Sequence, residues 1–567
     1  MEYIKSQNRQ QMEMSSLELL ISTDNEVRVI DAFVEVMDCE KLGFARVPAS
    51  EGRPPFHPKT FLKLYLYGYM NRIRSSRRLE KECQRNVELK WLLGNLVPNY
   101  HSIADFRKEH GRQFKAVFKL FVLFLREENL LGKKIVGIDG SKFRAVNSKK
   151  NNYNEKKIQR HLNYIESKAG AYLAELDRID KEENQTKEKI IRKQDIQKKL
   201  QQLKERKINY ESIKEEIKRS DDGQVSTTDP ESKALIINKN IVEVSYNAQT
   251  AVDDKNKLIV HYEATNKNDA KALLKAAMEA KEILQAEQLT ALADKGYHNG
   301  EQIAKCEQEN ITSVVAFREQ PSVKHLEEKY LVANFQYNKE EDTYTCPQGH
   351  RLRSNGNWYT KNHRSERRKS GGKSNLKHYK TTHCKNCPVL NQCTKNTRGR
   401  GRVIERSEHQ DAVDRNNHRV KTQRELYNRR QTICEHPFGT IKRAWGYSYT
   451  LLKGIKKVDG EMGIIFTCYN LRRTISIMGV EKLLKKLRKW EPDYKRAMKN
   501  MGKSFFRGEM AFLSLIRALQ NFPFRDCCLK SSRDPITSNA LRKLLSGRFF
   551  KKISEWRVFS QSDVLRV

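Results

Sequence analysis

The chain has 567 residues, enough for several domains rather than one. It carries 109 Lys and Arg against 70 Asp and Glu, a formal net charge of +39, which points to a polyanionic partner: nucleic acid first, an anionic membrane surface second. No apolar run approaches the roughly 20 residues that span a bilayer, and the stretch MEYIKSQNRQQMEM lacks the apolar core of a secretion signal, so the expectation is a cytosolic protein with no membrane part. Its 11 cysteines are then expected free or metal-bound rather than paired.

Residues 1–130 read as a helical N-terminal domain. Apolar residues recur at helical spacing in PKTFLKLYLYGYMNRI and RQFKAVFKLFVLFLREENLL. Between them, Ser102 is a candidate N-cap, with Asp105 as the capping-box acid, of a short helix ending in the basic pair Arg107 and Lys108. A helix–turn–helix with exposed basic residues there would lie against DNA. The bland alternative is a bundle with a solvated basic face.

At KKIVGIDGSKFRAV the character changes. Ile135, Val136 and Ile138 form a short β-branched run closed by Asp139-Gly140, a buried strand with an acid at its end. Residues 151–220 then predict an antiparallel helical hairpin or coiled coil. Ile158, Leu162, Ile165, Tyr172, Leu176 and Ile179 lie on one arm, and Ile196, Leu200, Leu203, Ile213 and Ile217 on the other, with a break near EENQT. Two strands follow over 243–265, turning at Asp-Asp-Lys-Asn, then a helix with Asp269 in its first turn. LTALADKGYHN is a second strand ended by an acid, Asp294, and another helix and strand complete the series. With insertions removed, strand–acid, strand, strand, helix, strand–acid, helix, strand, helix is the order of a ribonuclease-H-like α/β core (131–325 and 427–480), with active sites at strand carboxyl ends. The basic, cysteine-containing stretch 326–426 reads as an insertion, and 481–567 as a basic tail with no functional reading.

Phosphodiester cleavage at neutral pH is served by two Mg²⁺ ions, which need hard oxygen ligands, typically carboxylates. Asp139 and Asp294, with Glu435 from a following helix, make a suitable set. Singly, each acid is explained as a turn or surface residue; together, each falls where the fold needs one. Asp253 and Asp254 fit a strand turn, and Asp269 a helix start.

Seven segments carry a resemblance: GFARVPASEGRPPFHPKTFLKLYLYGYM, SSRRLEKECQRNVELKWLLG, IDGSKFRAVNSKKNNY, YNAQTAVDDKNKLIV, ALADKGYHNGEQI, CKNCPVLNQC and EHPFGTIKRAWG. In these the chain resembles the DDE transposases of bacterial insertion sequences, in the branch with an InsH-type N-terminal domain and a Tyr-Arg-Glu-Lys pattern on the catalytic helix. The resemblance implies that Asp139, Asp294 and Glu435 bind the metal, Mg²⁺ with Mn²⁺ as a substitute. Tyr427, Arg430 and Lys442 match the rest of the pattern, where Arg and Lys contact transposon-end phosphates. Four residues rather than three separate Arg430 from Glu435, so Arg429 is also a candidate. Glu435 and Lys442 are expected on one face of a continuous helix, with Pro437 kinking it or starting a new segment. The implied reaction is attack of water at the transposon end, then attack of the freed 3′-hydroxyl on target DNA, by a homodimer assembled on DNA ends in the bacterial cytoplasm, at the nucleoid. Two other readings are a DNA-binding regulator with a dead site and a nuclease that cleaves without joining.

Cys346, Cys384, Cys387 and Cys393 suit structural zinc, with His350 able to replace one thiol; unligated thiols in a basic subdomain are the alternative. The basic loop between Cys346 and the other three carries Trp358, Tyr359 and Tyr379, a composition suited to DNA contact.

Overall fold

The computed structural model describes residues 10, 14–44, 54–181, 186–220, 222–238, 241–317, 327–362, 373–396 and 401–498. The basic tail lies outside the described residues from 499 onward. No helix among the described residues is long and apolar enough to cross a membrane.

Six helices open the chain: α1 (Glu26–Glu35), α2 (Pro58–Met70), α3 (Ser76–Arg85), α4 (Val87–Leu93), α5 (Tyr100–Glu109) and α6 (Gly111–Glu127). Pro58 takes the first turn of α2, where its missing N–H has no partner to lose, and His57 Nδ1 accepts from the Lys59 N–H at 3.2 Å. Their shared core is aromatic: the Phe44, Phe61 and Phe114 rings surround Phe106 at 4.5–5.9 Å. Two expectations are corrected here. The N-cap of α5 is Asn99, whose carboxamide oxygen accepts from the Ser102 N–H at 2.8 Å, so the helix starts earlier than a Ser102 cap implies. Arg107 is buried rather than displayed: it donates to the Tyr69 hydroxyl and to the Arg74 carbonyl.

The central sheet is mixed. Strand β1 (Ile135–Arg144) pairs antiparallel with β5 (Ile241–Asp253), which pairs antiparallel with β6 (Ile259–Thr265) and, at its start, with β4 (Lys233–Asn238). On its other side β1 runs parallel to β7 (Leu289–Ala293), and β7 parallel to β8 (Ile311–Val315). The order β6–β5–β1–β7–β8 is consistent with a ribonuclease-H-like core. Helices α9 (Leu273–Leu284) and α10 (Gly300–Gln308) make the crossovers.

A buried asparagine is set against each of the strands β8 and β6. Helix α12 (Gln410–Thr422) brings Asn416, which accepts from the Val315 N–H at 2.9 Å and donates to the Val315 carbonyl at 2.8 Å. Helix α14 (Ile455–Met478) brings Asn470, which does the same at Ile259, at 2.9 and 2.8 Å. A carboxamide there satisfies the N–H and C=O of one residue that an edge strand otherwise leaves open. Asn416→Ala orphans two buried backbone groups and is expected to cost about 2 kcal/mol, read as a lower urea midpoint; an unchanged midpoint would count against the edge-closing role.

Residues 151–220 form two long helices, α7 (Glu155–Lys181) and α8 (Lys187–Arg219). They run antiparallel, joined by Lys207–Glu166 and Lys193–Asp180 pairs along their length. Ile158, Leu162, Ile213 and Ile217 are buried at the root, where β2 (Asn152–Asn154) pairs with β3 (Gln224–Ser226). The break near EENQT falls at 182–185, outside the described residues.

A second sheet follows the first: β9 (Gln336–Asn338), β10 (Thr343–Thr345), β11 (Arg351–Ser354), β12 (Tyr359–Asn362), β13 (Lys373–Lys380) and β14 (Ile404–Ser407), all antiparallel, with the short helix α11 (Leu390–Cys393) after β13. Tyr379 belongs to its core and is 0% exposed, its hydroxyl paired with Asp342, which corrects its reading as a DNA contact. Trp358 and Tyr359 are exposed, with Lys377 over the Trp358 ring and His378 stacked on Tyr359. Helix α13 (Arg424–Phe438) then lies against β1, and α15 (Val480–Arg488) follows α14.

Candidate active site

Asp139 and Asp294 meet where the parallel half of the sheet stops. The β1–β7 register ends at the pair Ile138–Ala293, so the next residues on the two strands are the two aspartates. Asp139 is not a strand terminus as expected, because β1 runs on to Arg144 paired with β5 alone. Each acid is fixed by a local backbone donor: Gly140 N–H to Asp139 Oδ1 at 2.9 Å, and Gly296 N–H to Asp294 Oδ1 at 2.8 Å. Burial and the Asp294 charge push the Asp139 carboxyl up to about 6, against the opposing pull of Arg430 and the Gly140 N–H.

Helix α13 covers this ground from one face of the sheet. Gly137 admits it, since a Cβ there would overlap Ile433 and Cys434. Cys434 is wholly buried against β1, and Glu435, the next residue, is exposed and makes no ion pair among the described residues. Of the two arginine candidates, Arg429 is exposed and pairs with Asp254 in the strand turn. Arg430 is partly buried; burial opposes its charge, but Cys434, Tyr427, Asp139 and Asp294 outweigh that, and its guanidinium sits 5.9 Å from the Tyr427 ring centre. Its Nε is buried with no hydrogen-bond partner among the described residues.

The helix does not continue unchanged to Lys442. Pro437 stays inside α13, which ends at Phe438 and gives way to a π-helix over Gly439–Ala444. Proline lacks the N–H that would bond the carbonyl of Ile433, and the turn widens directly after it. Glu435 and Lys442 are therefore not on one face of a continuous α-helix. Lys442 instead reaches back to β1, donating to the Lys142 carbonyl at 2.6 Å with its ammonium over the Phe143 ring. Burial and the Lys142 charge pull that ammonium down to about 8, against the attraction of Asp139.

One acid was misjudged from sequence. Asp269 does not cap a helix: α9 begins later, at Leu273, after a short 3-10 turn. Its carboxylate packs beside Gly140 of β1 instead, accepting from Lys142 Nζ at 2.8 Å, Asn247 Nδ2 at 2.7 Å and Gln249 Nε2 at 2.6 Å. The available signal was the pair of glycines after the two strand acids, for a Cβ on Gly140 would overlap Asp269.

Carboxylates are the right donors for Mg²⁺, and a buried Asp139 beside a like charge is the electrostatic condition that a divalent cation relieves. The second sheet gathers Cys346, Cys384, Cys387 and Cys393 around one cavity with His350 and His383, whose rings stack at 4.7 Å. Among the described residues no three His, Cys, Asp or Glu side chains are drawn close enough to share an ion, at the acids or at the thiols. The described cysteines are all free.

A family model described as a transposase domain (DUF772) matches residues 15–109, and one described as a transposase DDE domain matches residues 345–475. The second takes in the four cysteines and Glu435, but neither strand aspartate. No curated protein and no solved structure matches the chain.

Proposed function

We propose that this chain, which matches two transposase family models, is a DDE transposase of an insertion sequence that cuts the ends of its element and joins them to target DNA from the site between β1, β7 and α13. The observation that carries this reading is the juxtaposition of Asp139 and Asp294 at the end of the parallel pairing, beneath the helix that bears Glu435. Asp139, Asp294 and Glu435 would hold divalent cations. Such ions, when bound, relieve charge on the phosphate and make water or a 3′-hydroxyl a better nucleophile.

The chain's own groups hold the DNA. Arg430, itself partly buried, holds its guanidinium beside the aspartates, suited to a phosphate oxygen. Lys442, anchored on the β1 backbone, sets a second cation within the field of Asp139, and Tyr427 supports Arg430. Water attacks the phosphodiester at the element's end, the 3′-oxygen leaves, and that 3′-hydroxyl then attacks a target phosphodiester, displacing its 3′-oxygen in turn. We further propose that the protein acts as a homodimer on paired ends at the bacterial nucleoid. Purified protein, Mg²⁺ and a fragment bearing the element's terminal inverted repeats should give end cleavage and joined plasmid product. Asp294→Ala and Glu435→Ala should each lower the rate by about 10³-fold or more, and full activity in either would refute that residue's role. Cleavage without joining would favour the nuclease reading.

We also propose that the four thiols hold structural zinc, since two separate chain segments deliver them to one cavity. Metal analysis is expected to find one zinc per chain, and Cys387→Ser or a chelator to lower the unfolding midpoint. Metal-free protein indifferent to chelator would discard the idea.

A further inference from the structure

Asp269 stands behind both strand acids, on the sheet face away from α13. Along β1, Gly137 and Asp139 face α13, so Gly140 and Lys142 point the other way, alongside their cross-strand partners Gln249 and Asn247. Asp269 fills that side. The space a Gly140 side chain would take is lined by Asp269 Oδ1, Gln249 Nε2 and Asn247 Oδ1, and a Cβ on Gly296 would stand 3.7 Å from Asp269 Oδ2. The glycine after each strand acid thus opens toward the same third carboxylate.

A continuous set of hydrogen bonds passes through it. The Tyr297 hydroxyl, just after the Asp294 turn, donates to Gln249, and Gln249 and Asn247 donate to Asp269 Oδ1. Lys142 donates to Asp269 Oδ2, and the Lys142 carbonyl receives Lys442. The Lys142–Asp269 pair is mostly shielded, with side chains 13% and 19% exposed. One group of this network stays unsatisfied: Asn247 Oδ1, on a residue 0% exposed, has no hydrogen-bond partner among the described residues. A buried acceptor oxygen without a donor, beside a carboxylate whose only ionic partner among the described residues is a lysine, is a place that favours a cation.

We infer that Asp269 is a fourth carboxylate of the cation site, held by Lys142 as counter-charge until divalent cations enter. The inference rests on the proposed function, which supplies the other three acids. It makes Lys142 a competitor of the cation, so the two substitutions act in opposite directions.

Mn²⁺ is the probe, its free concentration read by electron paramagnetic resonance in titrations of the full chain without DNA. Asp269→Asn should weaken Mn²⁺ binding tenfold or more, Lys142→Met should tighten it about threefold, and the gain should vanish in the double variant. If Asp269→Asn binds Mn²⁺ as the parent does while Asp139→Asn does not, the inference fails and the proposed site stands. If Asp139→Asn also binds as the parent does, the reading of the site fails with it. Should Asp269→Asn not fold, Lys142→Met decides alone: unchanged or weaker Mn²⁺ binding overturns the inference.

Discussion

Asp139→Asn is expected to abolish DNA cleavage and, in the absence of divalent cations, to make the protein more stable. The carboxylate is crowded by burial and by Asp294, and its pKa is pushed up to about 6 from an ordinary 3.8. A carboxyl whose folded pKa lies above its unfolded one adds nothing below pH ~4, where it is protonated in both states. Between pH ~4 and 6 the unfolded chain ionises first and stability falls. Above pH 6 the cost reaches about 3 kcal/mol, the equivalent of about two pH units. Asparagine removes it. Unfolding midpoints of variant and parent should therefore converge near pH 4 and separate in the variant's favour at pH 7.5, and Mg²⁺ should stabilise the parent more than the variant. A variant less stable than the parent at pH 7.5 would mean that the Asp139 charge is compensated within the protein and that the site has no need of a cation.

Glu461→Ala is expected to cost about 3–5 kcal/mol, a large share of the 5–15 kcal/mol that holds a typical domain folded. Glu461, on α14, has a wholly buried side chain and pairs with Arg74, which follows α2 and is 7% exposed. The carboxylate also accepts from the Leu451 and Leu452 N–H groups at 2.9 and 3.2 Å. Arg74 donates to the Tyr449 carbonyl and lies over the Tyr447 and Tyr449 rings. Two of its nitrogens lack partners among the described residues, so removing Glu461 strands a buried cation and two backbone donors together. This cluster ties the N-terminal helices to the segment just after the π-helix. Denaturant unfolding followed by circular dichroism measures the loss, and a change below about 1 kcal/mol would show that the pair is dispensable.

What sequence reading reached followed what is local. Ile135–Asp139 and Leu289–Asp294 announce themselves as β-branched or apolar runs closed by an acid and a glycine, and the periodic arms of α7 and α8 are visible at a glance. Features set by distant partners were not legible. Asp269 reads as a helix start until Lys142, Asn247 and Gln249 are folded around it. Arg107 and Tyr379 look like surface residues in their neighbourhoods, yet Tyr69 and Asp342 bury them. Strand β4 was passed over although Ala-Leu-Ile-Ile is a β-prone run, because it lies between the hairpin and a stronger strand. The strands of the second sheet are short and interspersed with Lys, Arg and Asn, which hides their alternation. Pro437 flagged a disturbance, but not that the chain answers it with a π-turn.

The central claim is that the strand aspartates act by binding a divalent cation. Asp294→Cys tests it, because a thiolate is a poor ligand for Mg²⁺ and a better one for Mn²⁺. Cleavage of the element's end by this variant, measured side by side in the two ions, should be lost in Mg²⁺ and substantially restored in Mn²⁺. Cleavage at the parent's rate in Mg²⁺ would contradict the claim.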